Sequence, residues 1–378
     1  MSKAPKVLCL NTGGEGSLDS RRSKSLGSRL QAEVTYLDLN RKIGKLSASK
    51  EIWQVITSTK WDLIYQEGSG IAGGINLIRA AQNWQQPYII STGDPIGGFF
   101  RVTKGMAIGN LMEIYERSLY KHCTAFIGWT PYLTGAAIKL GAKRAITIEG
   151  GAEFEVFKPR SLTEKSVLRE KYGIPQEHLV CGVVGSLQWN KRNAYSYGYE
   201  LIESLKLVKR SDLTILIVGD GDSRERLQSL VPESLRSRAI FTGRLLPNEV
   251  VEAMNVMDIG FVTQTLDELG NFRLTTKLPE YLACGVPVAM SPIPGFYDYD
   301  VVSAGWALPA YHPASHEFHT RCAQWLDNLT WEDVKAKADK APAIAQKYFN
   351  YEEIAHRFAT FVHELLGVAE TKSYSKNQ

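Results

Sequence analysis

The chain has 378 residues, of which 44% are hydrophobic, 22% charged and 10% aromatic. That length predicts two or three domains with cores of their own, and the composition excludes a small disulfide-stapled module and a disordered chain. The net charge of +4 is unevenly distributed, because residues 1–150 carry 19 lysines and arginines against 11 acidic residues. Basic runs of this kind either bind anionic lipid headgroups or phosphorylated substrates or form solvated helix faces. The residues concerned are Arg21, Arg22, Lys24, Arg29, Arg41, Lys42, Lys45 and Lys50.

The first residues lead directly into the strand-like run Val7–Leu10, without the apolar core or cleavage site of a secretion signal. No stretch approaches the ~20 apolar residues that a membrane-spanning helix needs. Five cysteines at scattered positions, with no C-x-x-C spacing, predict reduced and buried thiols. We therefore expect a cytoplasmic protein, peripheral at the inner face of a membrane if its basic residues bind lipid.

Along the first half of the chain, short β-branched runs alternate with helical patterns, which is typical of βαβ units on a parallel sheet. The predicted strands are Val7–Leu10, Val34–Leu37, Leu63–Tyr65, Tyr88–Ser91, Ala125–Gly128 and Ala145–Ile148. Two glycines at 150 and 151 and a proline at 159 then interrupt both the helical and the strand period. This interruption predicts a link between two domains.

The alternation starts again after Pro159 and predicts a second parallel sheet. Its strands are Val180–Val184, Leu213–Val218, Ala239–Thr242, Ile259–Val262 and Val288–Met290. Helical patterns follow at Trp331–Tyr348, with a break at Pro342, and at Tyr351–Leu366. The sequence thus predicts two doubly wound α/β domains with helices at the C-terminal end.

Neither common nucleotide fingerprint is present, which argues against NAD and Walker-type ATP binding. Gly219-Asp220-Gly221 has Arg224 where a third glycine would stand, and Gly14-Glu15-Gly16 has Asp19. A histidine cluster at 312, 316 and 319 has a spacing that could reach a metal, but Pro313 interrupts any helix there. We expect no metal and no cofactor.

Phosphate binding without these fingerprints still needs backbone amides and fixed cations, and two glycine-containing loops can supply them. Each loop follows the first strand of its predicted domain, where ligands of doubly wound sheets bind. The alternatives are a plain tight turn for the first loop and solvated cations for the second. The candidate residues are Gly13 and Gly14 in the first loop and Gly185, Ser186, Lys191 and Arg192 in the second.

A third segment runs from Arg273 to Glu280 and reads as the start of a helix with Thr276 as its N-cap. Pro279 is tolerated in a first turn, where amides have no helical partner and are free for a phosphate. Glu280 either complements the helix dipole or binds the vicinal hydroxyls of a ribose or sugar.

Together these segments resemble the retaining nucleotide-sugar glycosyltransferases of family 4, which have the GT-B fold. The resemblance covers most of the chain and rests on the order and spacing of short motifs. These are Ile148-Glu149-Gly150-Gly151-Ala152-Glu153, Gly185 to Lys191, Val218-Gly219-Asp220-Gly221, Phe241-Thr242-Gly243-Arg244-Leu245, Lys277-Leu278-Pro279-Glu280 with the following Gly285-Val286-Pro287-Val288, and Glu116-Arg117-Ser118-Leu119-Tyr120.

The resemblance implies roles for individual residues of the second domain. Lys191 would bind the donor diphosphate, Glu280 the ribose, and Gly243 and Arg244 would lie beside the base. The amides of the third segment would meet the phosphates, at Thr275, Thr276, Lys277 and Leu278.

Three departures from the family pattern matter. An arginine usual near Gly185 is missing, so Arg192 or Arg273 would supply the second cation. A glutamate usual eight positions before Glu280 is replaced by Phe272, so Asp267 or Glu268 would face the donor sugar. A histidine usual after the fourth strand is also missing, and Asp94 is the acidic candidate there.

The resemblance implies an α/β GT-B enzyme with two doubly wound Rossmann-like domains facing across a cleft. Residues 1–157 would bind the acceptor and residues 158–350 the donor, with a C-terminal helix at about 351–367 packing back on the first domain. Lys191, Asp94 and Glu268 are the catalytic candidates. The domains would close on the donor, since closure excludes water.

The predicted reaction is metal-independent transfer of a sugar to a glycan, lipid or small-molecule hydroxyl, with retention, and without nucleic acid as a partner. Two alternatives remain open. One is a nucleotide-sugar epimerase or hydrolase of the same fold, and the other is a non-catalytic nucleotide-sugar-binding subunit.

Overall fold

The computed structural model describes residues 4–191 and 194–368. The chain divides into two compact units. The first extends up to Glu149 and takes in the residues from Glu352 onward, and the second is Gly150–Tyr351. The predicted boundary at 157/158 therefore lies within the second unit, a few residues beyond the division.

The first unit contains, among the described residues, a parallel sheet of six strands in the order β2-β1-β3-β4-β5-β6. Three central strands are buried along their whole length, as continuous apolar runs predict for a sheet covered on both faces. All six predicted strands are confirmed. They are β1 Lys6–Asn11, β2 Glu33–Asp38, β3 Leu63–Glu67, β4 Tyr88–Thr92, β5 Ala125–Gly128 and β6 Ala145–Thr147.

Helices connect these strands. The Ser17 hydroxyl caps the first by accepting from the Ser20 amide, and Thr130 caps the sixth by accepting from the Leu133 amide. The helices are α1 Leu18–Gly27, α2 Lys45–Ser58, α3 Ile71–Trp84, α4 Ile96–Lys104, α5 Met106–His122 and α6 Pro131–Lys139, with a short 3₁₀ turn at Arg41–Ile43.

The second unit contains, in the same described ranges, a parallel six-stranded sheet in the order β12-β11-β10-β7-β8-β9. The five predicted strands are confirmed, and the structure adds a sixth at the sheet edge, whose three residues are too few to show the period of a strand. The strands are β7 Leu179–Val184, β8 Leu213–Val218, β9 Ala239–Gly243, β10 Ile259–Val262, β11 Val288–Met290 and β12 Gly305–Ala307.

The helical pattern at 331–348 divides where Pro342 predicted a break, because proline is accepted in a first turn but not in a helix interior. The remaining helices are α7 Leu162–Lys171, α8 Tyr199–Leu205, α9 Arg224–Ser229, α10 Pro247–Asn255, α11 Lys277–Ala283, α12 Pro294–Asp298, α13 His316–Asn328, α14 Trp331–Ala338, α15 Ala341–Phe349 and α16 Tyr351–Leu366. Short 3₁₀ turns lie at Glu233–Arg238, Gly270–Phe272 and Val301–Ala304.

The last helix, α16, lies almost entirely in the first unit and buries apolar side chains there. The ring of Phe358 packs against Tyr65 of β3 with 5.0 Å between centroids. All five cysteines are buried free thiols, as predicted. Within the described chain, no helix is both long enough and apolar enough to cross a membrane.

Candidate functional site

The carboxyl ends of β7, β8 and β9 meet at one edge of the second sheet, as the parallel order requires. Backbone hydrogen bonds join the turns that follow them. The Gly185 amide donates to the Val218 carbonyl at 3.0 Å, and the Gly219 amide donates to the Gly243 carbonyl at 3.1 Å. The structure thus brings together three of the glycines predicted to bind the donor.

Two of these glycines are required by the geometry. Gly219 has φ +140°, and a Cβ there would lie 1.9 Å from the carbonyl oxygen of Gly185. Gly243 has φ +70°, and its Cβ would lie 3.0 Å from Arg224 Nη1. A side chain at Gly219 would therefore push the turn after β7 away, and the positive φ of Gly243 would strain any other residue there. The adjacent side chain of Arg244 is exposed.

Lys191 lies at the tip of the loop between β7 and α8. Asn190 and Tyr195 pair across this loop, the Asn190 amide donating to the Tyr195 carbonyl at 2.9 Å. Lys191 and Ser186 are both exposed, and within the described residues Lys191 forms no ion pair. Arg192, the predicted second cation, lies outside the described residues.

The third predicted segment leads into α11. Thr276 occupies the N-cap position, but its side chain accepts no capping hydrogen bond, and its backbone is helical. Thr275 Oγ1 is buried and has no hydrogen-bond partner among the residues that the structure describes, and Leu278 is buried. Lys277 Nζ lies 2.5 Å from Glu280 Oε2, with 29% and 14% of the two side chains exposed. Glu280 thus has a cationic partner one turn away.

Two acidic residues were predicted to replace the glutamate missing at Phe272. Asp267 Oδ1 accepts from the amides of Leu269 and Gly270, both at 2.9 Å, and so caps the 3₁₀ turn that leads to Arg273. Glu268 is exposed. Asp267 therefore has a structural role in this turn.

The first unit has its own edge of strand ends, which includes Gly13, Gly14 and Asp94. The Thr12 amide donates to the backbone carbonyl of Glu67 at 3.3 Å. This bond places the glycine turn after β1 beside the end of β3. Asp94 is half-buried, and its amide donates to Thr92 Oγ1 at 3.2 Å.

Under this edge lies a buried ion pair that the sequence did not reveal. Arg22 Nε is 3.3 Å from Glu67 Oε2, both side chains are at most 3% exposed, and the guanidinium lies over the Trp129 ring. The Ser91 hydroxyl donates a hydrogen bond to Glu67 Oε1 at 2.9 Å. The inclusion of Arg22 among surface cations was therefore wrong, because its charge is neutralised inside the first unit.

A second buried carboxyl, Glu200, was also missed. It is fully buried in the first turn of α8, and burial raises its pKa from 4.5 to about 7. The only sequence signal was its position next to the apolar residues Leu201 and Ile202 of the same helix. The periodicity of the sequence does not indicate that Glu200 is buried.

Among the described residues, no group of three or more histidine, cysteine or acidic side chains is placed to hold a metal ion. In the histidine cluster, His319 is buried and its Nε2 lies 2.8 Å from the carbonyl oxygen of Pro313.

Part of the chain is similar in sequence to known glycosyltransferases. Residues 178–328, which form most of the second unit, match the family model described as Glycosyl transferases group 1. The 2-deoxystreptamine glucosyltransferase of Streptomyces kanamyceticus is 27% identical over 239 residues, which is 62% of this chain and 56% of that protein. The chain spans about half the length of the curated relatives it matches.

Solved structures match nearly the whole chain. HepE of Anabaena, crystallised with UDP, has a TM-score of 0.71 at 18% identity and covers 95% of this chain and 100% of its own. Sucrose-phosphate synthase of Thermosynechococcus elongatus has a TM-score of 0.73 at 15% identity over 96% of this chain and 99% of its own. The fold is GT-B. The predicted fold class is confirmed. The segment that matches the group 1 model lies within the second unit.

Proposed function

We propose that the chain is a glycosyltransferase that takes a hexosyl group from a nucleotide diphosphate-sugar and transfers it to a hydroxyl of a glycan, a lipid or a small molecule. This proposal rests on one observation. The segment that matches the group 1 model includes the glycine turns that meet at one edge of the second sheet. HepE has been crystallised with UDP-glucose as well as with UDP. A UDP-sugar is therefore the first donor to test.

In this proposal the diphosphate lies at the carboxyl edge of the second sheet. Lys191 binds it from the loop tip, and Arg273 or Arg192 supplies a second positive charge. The amides from Thr275 to Leu278 approach the phosphates. Glu280 binds the ribose, which requires it to share or release Lys277. The base lies beside Gly243 and Arg244, and Glu268 faces the sugar.

The reaction, as we propose it, breaks the bond between the anomeric carbon and the diphosphate oxygen. The acceptor oxygen attacks on the face that the diphosphate leaves, and its proton passes to a phosphate oxygen, so configuration is retained. The charge that develops on the diphosphate is stabilised by fixed cations and amides. Chelation with EDTA is expected to leave the rate unchanged.

We propose that the acceptor binds at the first unit, near Asp94, and that this unit contacts an anionic membrane surface. The support lies at the start of α2, where Lys42, Lys45 and Lys50 are exposed and Leu46 is 82% exposed. Co-sedimentation with anionic vesicles tests this contact. Binding should fall with added salt and with Lys45→Glu, but not with Lys335→Glu in the second unit.

The first test of the donor site is Lys191→Ala. We expect transfer from UDP-glucose to fall on the order of 100 to 1,000-fold, because a cation fixed against developing charge is lost. Lys209→Ala is the matched control, since Lys209 is an exposed lysine of the same unit that precedes β8 at the opposite edge. Unchanged transfer in a folded Lys191→Ala protein would mean that the diphosphate lies elsewhere.

The two alternatives differ from transfer in their products. An epimerase or hydrolase converts the donor without acceptor, and a binding subunit leaves it intact. Donor and product analysis with and without glycan and lipid extracts separates the three, and only acceptor-dependent glycoside formation supports the proposal.

A further inference from the structure

Arg224 is an arginine of the second unit whose hydrogen-bond donors have no acceptor within the described chain. It is the first residue of α9 and stands where a dinucleotide turn would have its third glycine. Its Nε is buried, and within residues 4–191 and 194–368 no nitrogen of the guanidinium donates a hydrogen bond. Nη1 approaches Asp220 Oδ1 only to 3.9 Å, which is too long for one. A buried donor without an acceptor costs free energy, which indicates that a ligand supplies the acceptor.

The guanidinium of Arg224 lies against Gly243, at the end of β9. A Cβ on Gly243 would lie 3.0 Å from Nη1, 3.2 Å from Cζ and 3.3 Å from Nη2 of Arg224. Glycine at this position thus lets the guanidinium contact the backbone of the turn. The Arg224 side chain keeps 35% of its surface exposed. It therefore lies at the carboxyl edge of the sheet and is accessible to a ligand.

The end of β9 lies two strands away from the place proposed for the diphosphate. The strands β8 and β9 lie on one side of β7, and β10, β11 and β12 lie on the other. Ligands of doubly wound sheets bind where the strand order reverses, which is here between β7 and β10. Neighbouring strands are about 4.8 Å apart, so the end of β9 lies roughly 10 Å from that of β7. A ribose and a base bridge this distance, which brings the base of a nucleotide to Arg224.

A guanidinium distinguishes nucleobases by their hydrogen-bonding groups, because it has five N–H donors and no acceptor. Uracil presents a carbonyl oxygen, O4, where cytosine presents an amino group. Guanine presents O6 and N7, both acceptors, where adenine presents N7 and an amino group. Arginine can therefore bond to the carbonyl of uracil or guanine, whereas the amino group of cytosine or adenine places donor against donor.

We propose that Arg224 binds the carbonyl oxygen of the donor's base, O4 of uracil or O6 of guanine, and so selects nucleotides with a carbonyl at this position over those with an amino group. The inference rests on the proposed function, since it places a nucleotide diphosphate-sugar at this sheet edge. It adds the chemical class of the base and the side chain that recognises it.

Calorimetric titration with four nucleoside diphosphates tests the selection. UDP and CDP form one pair and GDP and ADP the other, and the diphosphate is the same in all four. The parent should bind the carbonyl member of at least one pair more tightly than its amino counterpart, by roughly ten- to a hundredfold. The pair that shows the preference identifies the base as a pyrimidine or a purine.

Two variants of Arg224 separate recognition of the base from a structural role. Arg224→Ala should bind both members of the pair within about twofold of each other, because the affinity for the carbonyl base falls and that for the amino base does not. Arg224→Gln should also bind both alike, because its amide offers an acceptor as well as a donor. Thermal stability without ligand should stay near that of the parent, since no hydrogen bond within the described chain is lost. Arg236→Ala, which removes an exposed pair to Glu233, is the matched control and should keep the preference.

Three outcomes would overturn the inference and leave the donor site in place. They are a parent that binds both members of each pair alike or prefers the amino member, a preference that persists in Arg224→Ala and Arg224→Gln, and an equal loss of affinity for all four nucleotides in Arg224→Ala. The last would place Arg224 at the diphosphate and not at the base. If the parent binds none of the four, the proposed donor site fails and the inference fails with it.

Discussion

Glu280 shows how one residue can combine a structural and a functional contact. Its Oε2 lies 2.5 Å from Lys277 Nζ, and the side chain keeps 14% of its surface exposed. An i,i+3 pair at this exposure contributes only a few tenths of a kcal/mol. The ion pair itself therefore adds little to the stability of the helix, and measuring binding and stability separately distinguishes a role toward a ribose from a role in folding.

Glu280→Ala should weaken UDP binding, because the proposed acceptor of the ribose hydroxyls is lost, and Glu280→Gln should be milder. Thermal stability without ligand should change little in both. Isothermal titration with UDP measures the effect, with Glu317→Ala, which removes an exposed ion pair to Arg321, as the control. Equal affinity in all variants would mean that Glu280 does not bind the ribose.

Glu200 predicts a pH dependence of stability. Its pKa rises from 4.5 unfolded to about 7 folded because of burial. The folded protein thus binds a proton that the unfolded chain releases, and this stabilisation is complete below pH 4.5 and is lost as pH rises through about 7. The full difference is on the order of 3 kcal/mol. Glu200→Gln should raise Tm relative to the parent at pH 8 more than at pH 5.5, and an equal shift at both would contradict the assignment.

At the scale of elements, α1 joins the first sheet to the end of its unit. Arg22 Nη1 donates to the backbone carbonyl of Glu149 and Nη2 to that of Ile148, both at 2.8 Å, while Nε faces the Glu67 carboxylate. One planar guanidinium thus holds α1, β3 and the residues that precede the second unit. A lysine has no such fork and cannot make these contacts together.

Arg22→Lys should therefore destabilise the first unit, and Arg22→Ala should cost more, about 3–5 kcal/mol, because Glu67 is left as an unpaired buried charge. Chemical denaturation measures both. Arg21→Lys, at the exposed neighbouring position, should stay within about 0.5 kcal/mol of the parent. A similar small effect for Arg22→Lys would show that one hydrogen bond suffices there.

At the scale of the whole molecule, the chain returns to its first unit at the end. Helix α16 buries Phe358 at 0% exposure against Tyr65, nearly 300 positions earlier. Arg29 and Glu352, which are 323 positions apart in sequence, form an exposed ion pair at 2.6 Å. The first core is thus completed by the last residues described, while the second core is built from one continuous segment.

Phe358→Ala should cost the first unit about 3–5 kcal/mol, because a large cavity opens in its core. Native-state hydrogen exchange should show faster exchange in β1, β3 and β4 and unchanged exchange in β7, β8 and β10. Glu353→Ala, exposed on the same helix, is the control. Loss of protection in both sheets would mean that the two units unfold as one.

Local pattern in the sequence predicts the alternation of strands and helices, the break at Pro342 and the glycine-containing loop at Gly185, while the family resemblance implies a role for the glycines at 219 and 243. The first three follow from local periodicity and from the backbone conformations that proline and glycine adopt. The three residues of β12 were missed because so short an edge strand has no period.

Which charged side chains are buried depends on contacts that form only in the folded protein. Arg22 reads as one cation of a basic run and Glu200 as one acid of a helix, yet both lie in the interior beside groups distant in sequence, Glu67 and Thr263. Burial and pairing set the charge state of such groups, and both depend on contacts that close across the sheet. The local sequence pattern does not indicate those contacts. The burial of Arg22 and Glu200 could therefore be recognised only from the folded structure.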